Sequence, residues 1–582
     1  MERKNLSTEN NYPEFDRKFL ESTEEFTTIG KGGIGGKASG LAFIKKHISS
    51  NISSSNFPQI NVHIPHLVVL KTSVFDAFME RNGLYDIALS NDSDVRIANA
   101  FMHADLPAEV LGDLRSIIQN LHTPLAVRSS SLLEDQKEEP FAGIYATKMI
   151  PNNQLNIDDR FRKLDEAIKF VYASVFFKAA KDYLKATHHS PSEEKMAVII
   201  QEVIGERRYD RYYPTVSGVA RSFNYYPIGK SKPGQGIINL ALGLGKTIVD
   251  GGITWTYSPA FPKTPPPFAS PNDMMKNTQN NFWAINMGKI EHYDPTKETE
   301  YLVESNLNDA EKDEALKNIA STFDPASNRI SPGIGNNGPR IVNFAPLLQF
   351  NMFKFNEFIK HMLVVCEEAY SNPVETEFAF NFGKDNKRMD FGFLQVRPMM
   401  VLEEEVKIEP DELKAENNVA ASEKVMGNGT IENIYDIVFV KPKSFEAKFT
   451  REIADEIEEI NKDFLDNESK YLLIGFGRWG SSDPWLGIPV DWGQISCAKV
   501  IIESTLPGIN VELSQGSHFF HNLTSFKVAY FSLHHEGKYK INWEWLENQP
   551  AQKELKFVKH IKLSNPLKIK IDGKTGSGVI KI

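Results

Sequence analysis

Cysteine is nearly absent from this sequence: Cys366 and Cys497 are the two in 582 residues, far apart and in unremarkable surroundings. That excludes a disulfide framework and a cysteine-rich zinc cluster, and it fits a reducing compartment. Long apolar runs are missing as well. The longest, such as 196–200 and 362–366, extend about five residues where a bilayer needs about twenty, so no membrane-spanning helix is expected. Nor is there an excess of positive charge. The net charge of −10 gives no electrostatic reason to expect a nucleic-acid partner, and any phosphate binding has to come from a local patch. The N-terminal run MERKNLSTENNYPEFDRKF has no apolar centre of the kind a signal peptide requires. Residues 1–27 therefore read as a flexible leader, and the protein as cytoplasmic.

What the chain does have is length and alternation. At 582 residues and 41% hydrophobic content it exceeds one compact core, so several domains are expected. A Gly-rich turn near Gly30 leads into an amphipathic helix over 38–48, a strand over 66–70 and a helix from Ser73. A strand over 125–127 enters a hydroxyl-rich turn, Arg128-Ser129-Ser130-Ser131, and a long helix covers 158–186. Strands follow over 196–203 and 215–222, with a hairpin or loop carrying Arg207, Arg208 and Arg211 between them. The Pro-, Ser- and Asn-rich stretch 258–281 reads as a loop, followed by helices over 308–320 and 351–370. A strand pair at 374–382 and 389–396 precedes an acidic linker, 402–423, and a separate α+β unit over 424–582.

Two segments imitate a P-loop and fail. The run ending Gly245-Lys246-Thr247 has Leu240 where the first glycine belongs, and Gly32-Gly33-Ile34-Gly35-Gly36-Lys37 is followed by Ala38, without the hydroxyl that would hold magnesium. Both still offer backbone amides beside a lysine, which suits phosphate outside the P-loop class.

The informative signal is an ordered set: Lys37 in GGKASGL, Arg128 in PLAVRSSSLLED, Phe141-Ala142-Gly143, Gln201 in VIIQEVI, Ser217-Gly218-Val219-Ala220, GLGKTIVDGG from Gly243, VETEFAF from Val374, and FLQVRPM from Phe393. In this order the motifs resemble the ATP-grasp-type nucleotide domain of the pyruvate phosphate dikinase and phosphoenolpyruvate synthase family, over about 28–401 in two lobes, 28–195 and 196–401. Taken singly, Arg128 or Arg397 would more often be a surface arginine, and Glu375 and Glu377 a solvated strand face. The set carries the inference.

The resemblance implies ATP and Mg2+ as cofactors. Lys37 and Arg128 would grip the triphosphate, Arg128 as a two-pronged fork. Glu377 and the Gln395 carbonyl, with Glu375, would supply hard oxygens for magnesium. Arg397, two residues along the strand from Gln395, would face the transferring phosphoryl group. Gln201 would lie in the adenine-binding segment, with Gly243, Gly245 and Lys246 also bordering the nucleotide. One departure is charged: Lys246 stands where the family usually has an acid.

About 180 residues follow Val401, fewer than the roughly 200–250 that a TIM barrel takes, so a pyruvate-handling barrel is not expected. Within them, IGFGRWGSSDPWLGIPVDWGQ holds Trp479, Trp485 and Trp492, with Arg478 and Asp483 suited to an anion or acceptor pocket. The run SQGSHFFHNLTS resembles the turn of phosphohistidine domains, which makes His518 or His521 the candidate phosphoryl carrier. A structural, metal-binding or acceptor-recognising role for that pair stays open. The expected function is thus an ATP- and magnesium-dependent, dikinase-like phosphotransferase acting on a histidine or an unidentified acceptor. The alternatives are a non-catalytic ATP sensor and the ATP-binding component of a split system.

Overall fold

The computed structural model describes residues 12–18, 25–52, 56–134, 143–187, 189–225, 227, 230–266, 270–289, 292–399, 406–467, 469–481, 483, 485–507, 523, 527–573 and 575–582. His518 and His521, and Phe141 and Ala142, lie outside the described residues. The chain is a mixed α/β, multidomain protein with several sheets.

The first sheet has the spatial order Phe26–Ile29, Leu67–Leu70, Met196–Glu202, Leu125–Ser131 and Thr147–Ile150. Its strand at 196–202 is antiparallel to both the 67–70 and the 125–131 strands, so it belongs to this sheet although most of the following chain does not. Helices Thr72–Asn82, Ala108–Asn120 and Ile157–Ser174 pack over it with Phe75, Phe78, Leu114 and Ile168 fully or almost fully buried. The long helix expected over 158–186 is broken at 175–177 into Ile157–Ser174 and Lys178–Ala186. The serine-rich segment is strand throughout rather than a turn. Ser130 Oγ donates to Ile34 O (2.8 Å) and accepts from Ala38 N (3.1 Å), while Ser131 Oγ accepts from Leu133 N, so buried hydroxyls are satisfied without leaving the sheet.

The second sheet runs Trp255–Tyr257, Ile237–Ala241, Val216–Arg221, Val374–Phe382, Met389–Pro398, Ile60–His63. Its last strand comes from the N-terminal part of the chain and pairs in parallel with 389–398, which stitches the two sheets together. Helices Gly35–Asn51 and Phe355–Tyr370 cover it, and Ile44, Phe358, Ile359, Phe378 and Phe391 form one apolar cluster. The segment read as a hairpin or loop around 207–211 is a hairpin, Glu206–Arg208 and Arg211–Tyr213, extended by Asn281–Asn286 and Leu302–Asn306 into a third sheet. The Pro-rich stretch contains one short helix, Pro271–Lys276, started by Ser270 Oγ accepting from Asp273 N.

After residue 405 the described chain builds a further large sheet. Gly429–Val440, Tyr471–Phe476, Ala498–Ser504 and Ala529–Leu533 are parallel neighbours at its centre, and helix Thr450–Asp466 is the crossover between the first two. Asn418–Ser422, inside the stretch read as a linker, is an edge strand of this sheet. One face, with Ile453, Ile457 and Leu473, shares an apolar cluster with the helices of the first sheet. Among the described residues no helix is long and apolar enough to cross a membrane.

Gly35 shows how tightly the Gly-rich entry is built. It has φ +75°, and a Cβ there would lie 1.7 Å from the Ser130 carbonyl oxygen. Gly35→Ala is therefore expected to lower unfolding free energy by about 2–4 kcal/mol, from left-handed backbone strain plus overpacking. An unchanged urea midpoint would show that this contact yields freely.

Candidate functional site

The two sheets and the C-terminal unit meet around a cavity of about 680 Å³. Lys37, Arg128, Gln201, Glu377, Gln395 and Arg397 all line it, although they lie up to 360 positions apart in the chain.

Three adjacent strands set the basic end. Arg221, Glu375 and Arg397 stand directly opposite one another on Val216–Arg221, Val374–Phe382 and Met389–Pro398, and one step along the same face Glu377 stands opposite Gln395. Directly opposed side chains are close enough to interact. Accordingly Arg397 Nε donates to Glu375 Oε1 at 2.8 Å, with a second bond from Nη2, and Arg221 Nε donates to Glu375 Oε2 at 2.5 Å. Both Glu375 oxygens are engaged by guanidinium groups, and Glu375 and Arg397 are each 3% exposed.

From the other sheet, Arg128 reaches across. Its Nη2 donates to Gln395 Oε1 (2.8 Å) and lies 3.7 Å from Glu377 Oε2, while Nη1 donates to Leu394 O (3.1 Å) and Gln201 Oε1 (3.4 Å). Gln201 is buried, and its Nε2 has no hydrogen-bond partner among the described residues. That leaves a desolvated donor at the cavity wall, which a ligand acceptor would satisfy.

Lys37, on the first turn of helix Gly35–Asn51, donates to Glu134 Oε1 (2.5 Å) and Ser129 Oγ (3.1 Å). Glu134 also accepts from Ser129 Oγ and Ser131 N, which fixes both of its oxygens. Lys246 begins the short helix Lys246–Val249, whose N-cap is Gly245, and pairs with Asp250 at 2.9 Å. The carbonyl of Gly243 accepts from Ser217 Oγ at 2.7 Å, so the GLGK turn is tied to the neighbouring strand.

Several residues at or beside the cavity were not singled out from the sequence. Glu134 and Arg221 stand behind the lining residues, as partners of Lys37 and of Glu375. Glu134 lay inside the quoted PLAVRSSSLLED run and Arg221 just beyond the Ser217–Ala220 motif, but only the three-dimensional pairing gives them partners. Glu298 had no motif. It accepts from Thr147 N at 3.2 Å, and burial pushes its carboxyl above the usual range. Of the three tryptophans, Trp479 is buried with Nε1 donating to Ile502 O, Trp485 is exposed, and Trp492 lines the cavity. Arg478 Nη1 donates to Gly251 O at 2.9 Å, joining the C-terminal unit to the GLGK segment, and Asp483 Oδ1 accepts from Trp485 N. Among the described residues no group of three or more His, Cys, Asp and Glu side chains forms a metal cage.

Behind Lys37 lies a second buried acid. Burial pushes the Glu194 carboxyl up to about 7, with the charge of Glu134 adding and a hydrogen bond from Ser131 opposing. Because the folded value exceeds the unfolded one, the folded state holds the extra proton between about pH 4.5 and 7, so stability falls as pH rises through that window. The expected loss is about 2–3 kcal/mol. Glu194→Gln should flatten that slope in urea unfolding across the same range; identical slopes for the two proteins would refute the assignment.

A stretch of 191 residues is 27% identical to an uncharacterized phosphotransferase, YvkC, of Bacillus subtilis (strain 168), covering 33% of this chain and 20% of that protein. The chain thus matches about a fifth of that relative's length. Residues 32–418 match the AMP/ATP-binding domain of pyruvate phosphate dikinase, a span that holds Lys37, Arg128, Glu377, Gln395 and Arg397. With two thirds of its length in that match, the chain belongs to the pyruvate phosphate dikinase AMP/ATP-binding domain family.

Proposed function

We propose that this protein is an ATP- and magnesium-dependent, dikinase-like phosphotransferase, built on an ATP-grasp-like arrangement of its first two sheets. The observation that carries the reading is the convergence of two cations and two oxygen donors, Arg128 and Arg397 with Glu377 and Gln395, on one wall of a cavity that Lys37 also lines.

Lys37 and Arg128 would hold the phosphates, Lys37 as a point charge and Arg128 as a planar fork. Glu134 keeps Lys37 at its post, and a phosphate oxygen would compete with it for the ammonium group. Gln201 would offer its buried Nε2 to an acceptor atom of the nucleotide base, and Gly243, Gly245 and Lys246 would border the nucleotide. Glu377 and Gln395 fit magnesium, which takes hard oxygens and is commonly held by one or two carboxylates together with substrate phosphates rather than by a protein cage. When bound, magnesium supplies positive charge against the phosphate oxygens. Glu375, with both oxygens on arginines, would serve to orient Arg397 rather than to bind metal.

Arg397 would stabilise charge on the transferring group. The group moved is a phosphoryl or pyrophosphoryl, and the acceptor a histidine, with His518 and His521 as candidates, or another nucleophile. The phosphotransferase name of the Bacillus relative supports the class of reaction.

Arg397→Ala leaves Glu375 paired with Arg221, so the variant should fold. It is expected to lower turnover by about 10²–10³-fold, with ATP affinity within a few-fold of the parent protein. Incubating protein, magnesium and ATP and separating the nucleotides over time identifies the reaction: AMP marks dikinase chemistry and ADP alone marks simple kinase or ATPase activity. Tight binding with no product, even with candidate acceptors added, would sink the transfer reading.

A further inference from the structure

The turn from Gly243 to Gly252 cannot hold its own shape. Its helix, Lys246–Val249, is four residues long, too short to persist by itself, and Gly243 and Gly251, at φ +84° and +72°, flank it with pliable backbone. Yet this turn carries part of the cavity wall: Leu244, Gly245, Lys246, Val249 and Asp250 all line it. It is held from outside. At the front Ser217 Oγ donates to Gly243 O, and beneath the helix Ile248 packs with Val219 and Ala241. At the back the contact comes from 227 positions away, where Arg478 Nη1 donates to Gly251 O at 2.9 Å and satisfies a carbonyl just past the helix end.

Arg478 is offered by a stiff platform. It stands behind the cavity rather than in its lining, in the loop after strand Tyr471–Phe476 that delivers Gly480 and Ser481 to the wall. Gly477 N donates to Ser504 O, Arg478 N to Leu486 O and Gly480 N to Ile488 O, each at 2.9 Å. Trp479 is buried with its Nε1 on Ile502 O, and a Cβ added to Gly487 would lie 2.0 Å from Arg478 O. The unit that bears this loop is itself seated. Gly493 packs so closely on helix Lys178–Ala186 that an added Cβ would lie 2.5 Å from Asp182 Cβ, and Lys178 Nζ lies 2.9 Å from Glu458 Oε1. One apolar cluster runs from the helices of the first sheet into helix Thr450–Asp466.

We infer that Arg478 is a positioning residue for the nucleotide: by its bond to Gly251 O the docked C-terminal unit fixes the turn that borders the ligand, so nucleotide affinity and the seating of that unit are coupled. The inference rests on the ATP reading proposed above, and it gives Arg478 a role other than the anion or acceptor pocket expected from the sequence. Lying outside the lining, Arg478 acts through the backbone it holds. Such a coupling is reciprocal: if the seated unit tightens nucleotide binding, bound nucleotide tightens the seat by the same factor.

Two variants of the full chain separate the bond from the bulk of the side chain. Arg478→Met keeps an apolar stem without a donor, and Arg478→Lys keeps a charged donor. In calorimetry with magnesium and a non-hydrolysable ATP analogue, Arg478→Met is expected to bind about 5-fold or more weakly, and Arg478→Lys within about 3-fold of the parent protein. The amides of Gly251 and Gly252 close the turn by donating to Ile248 O and Thr247 O. Without ligand, their hydrogen exchange should be about 5-fold faster in Arg478→Met and near the parent rate in Arg478→Lys. Bound analogue should slow exchange at the Arg478 and Gly480 amides of the parent protein, and the same amides should not respond in Arg478→Met.

Equal affinity of Arg478→Met and the parent protein would overturn the proposal. Equal weakening in the two variants would do the same, since it would mark side-chain packing rather than the bond, and so would unchanged exchange at Gly251 and Gly252. A parent protein that binds no analogue would instead defeat the ATP reading, and exchange at Gly251 and Gly252 would still decide whether Arg478 holds the turn.

Discussion

A guanidinium group buried as deeply as that of Arg397 cannot stand alone, and the arrangement of the site follows from how it is neutralised. Glu375 lies opposite it on the neighbouring strand and Arg221 lies opposite Glu375 on the next, so one carboxylate holds two arginines. Leaving one partner of a buried pair uncompensated typically costs about 3–5 kcal/mol. The register of three strands is therefore bound to their chemistry: a slip by one residue would turn Arg397 and Gln395 to the opposite face of the sheet, away from the cavity. That same register places Glu377 opposite Gln395 within reach of Arg128.

Arg128 makes the corresponding link between sheets. It rises from the middle of strand Leu125–Ser131 in the first sheet and donates to a backbone carbonyl and a side chain on the second, so the two halves of the cavity are joined through the residue expected to meet phosphate. The strand Ile60–His63, delivered to the second sheet from the N-terminal segment, adds a continuous backbone tie.

The C-terminal unit has a role that its own sequence does not announce. Its parallel sheet carries the loop after Tyr471–Phe476 to the cavity, in keeping with the general tendency of α/β sheets to use the carboxyl ends of their strands. Its crossover helix shares an apolar cluster with the first sheet's helices, which seats Val490 and Trp492 against the cavity.

The sequence by itself determined many of the local elements, and it singled out Lys37, Arg128, Gln201, Glu377, Gln395 and Arg397, which the fold brings to one cavity. The ordered motifs and the family resemblance they carry picked those residues out, and strand periodicity in VETEFAF and FLQVRPM says which of them share a face. It misjudged places where satisfaction of polar groups comes from afar: Arg128-Ser-Ser-Ser reads as a turn until Ile34, Ala38 and Glu134 arrive to bond the hydroxyls. Only the tertiary structure decided that Glu375 belongs to Arg397 and Arg221, that Lys37 belongs to Glu134, and that Trp492 rather than Trp479 or Trp485 faces the cavity. Those are contacts between residues far apart in the chain, selected by strand order and helix packing, and no local pattern records which distant partner a charge or a ring will meet.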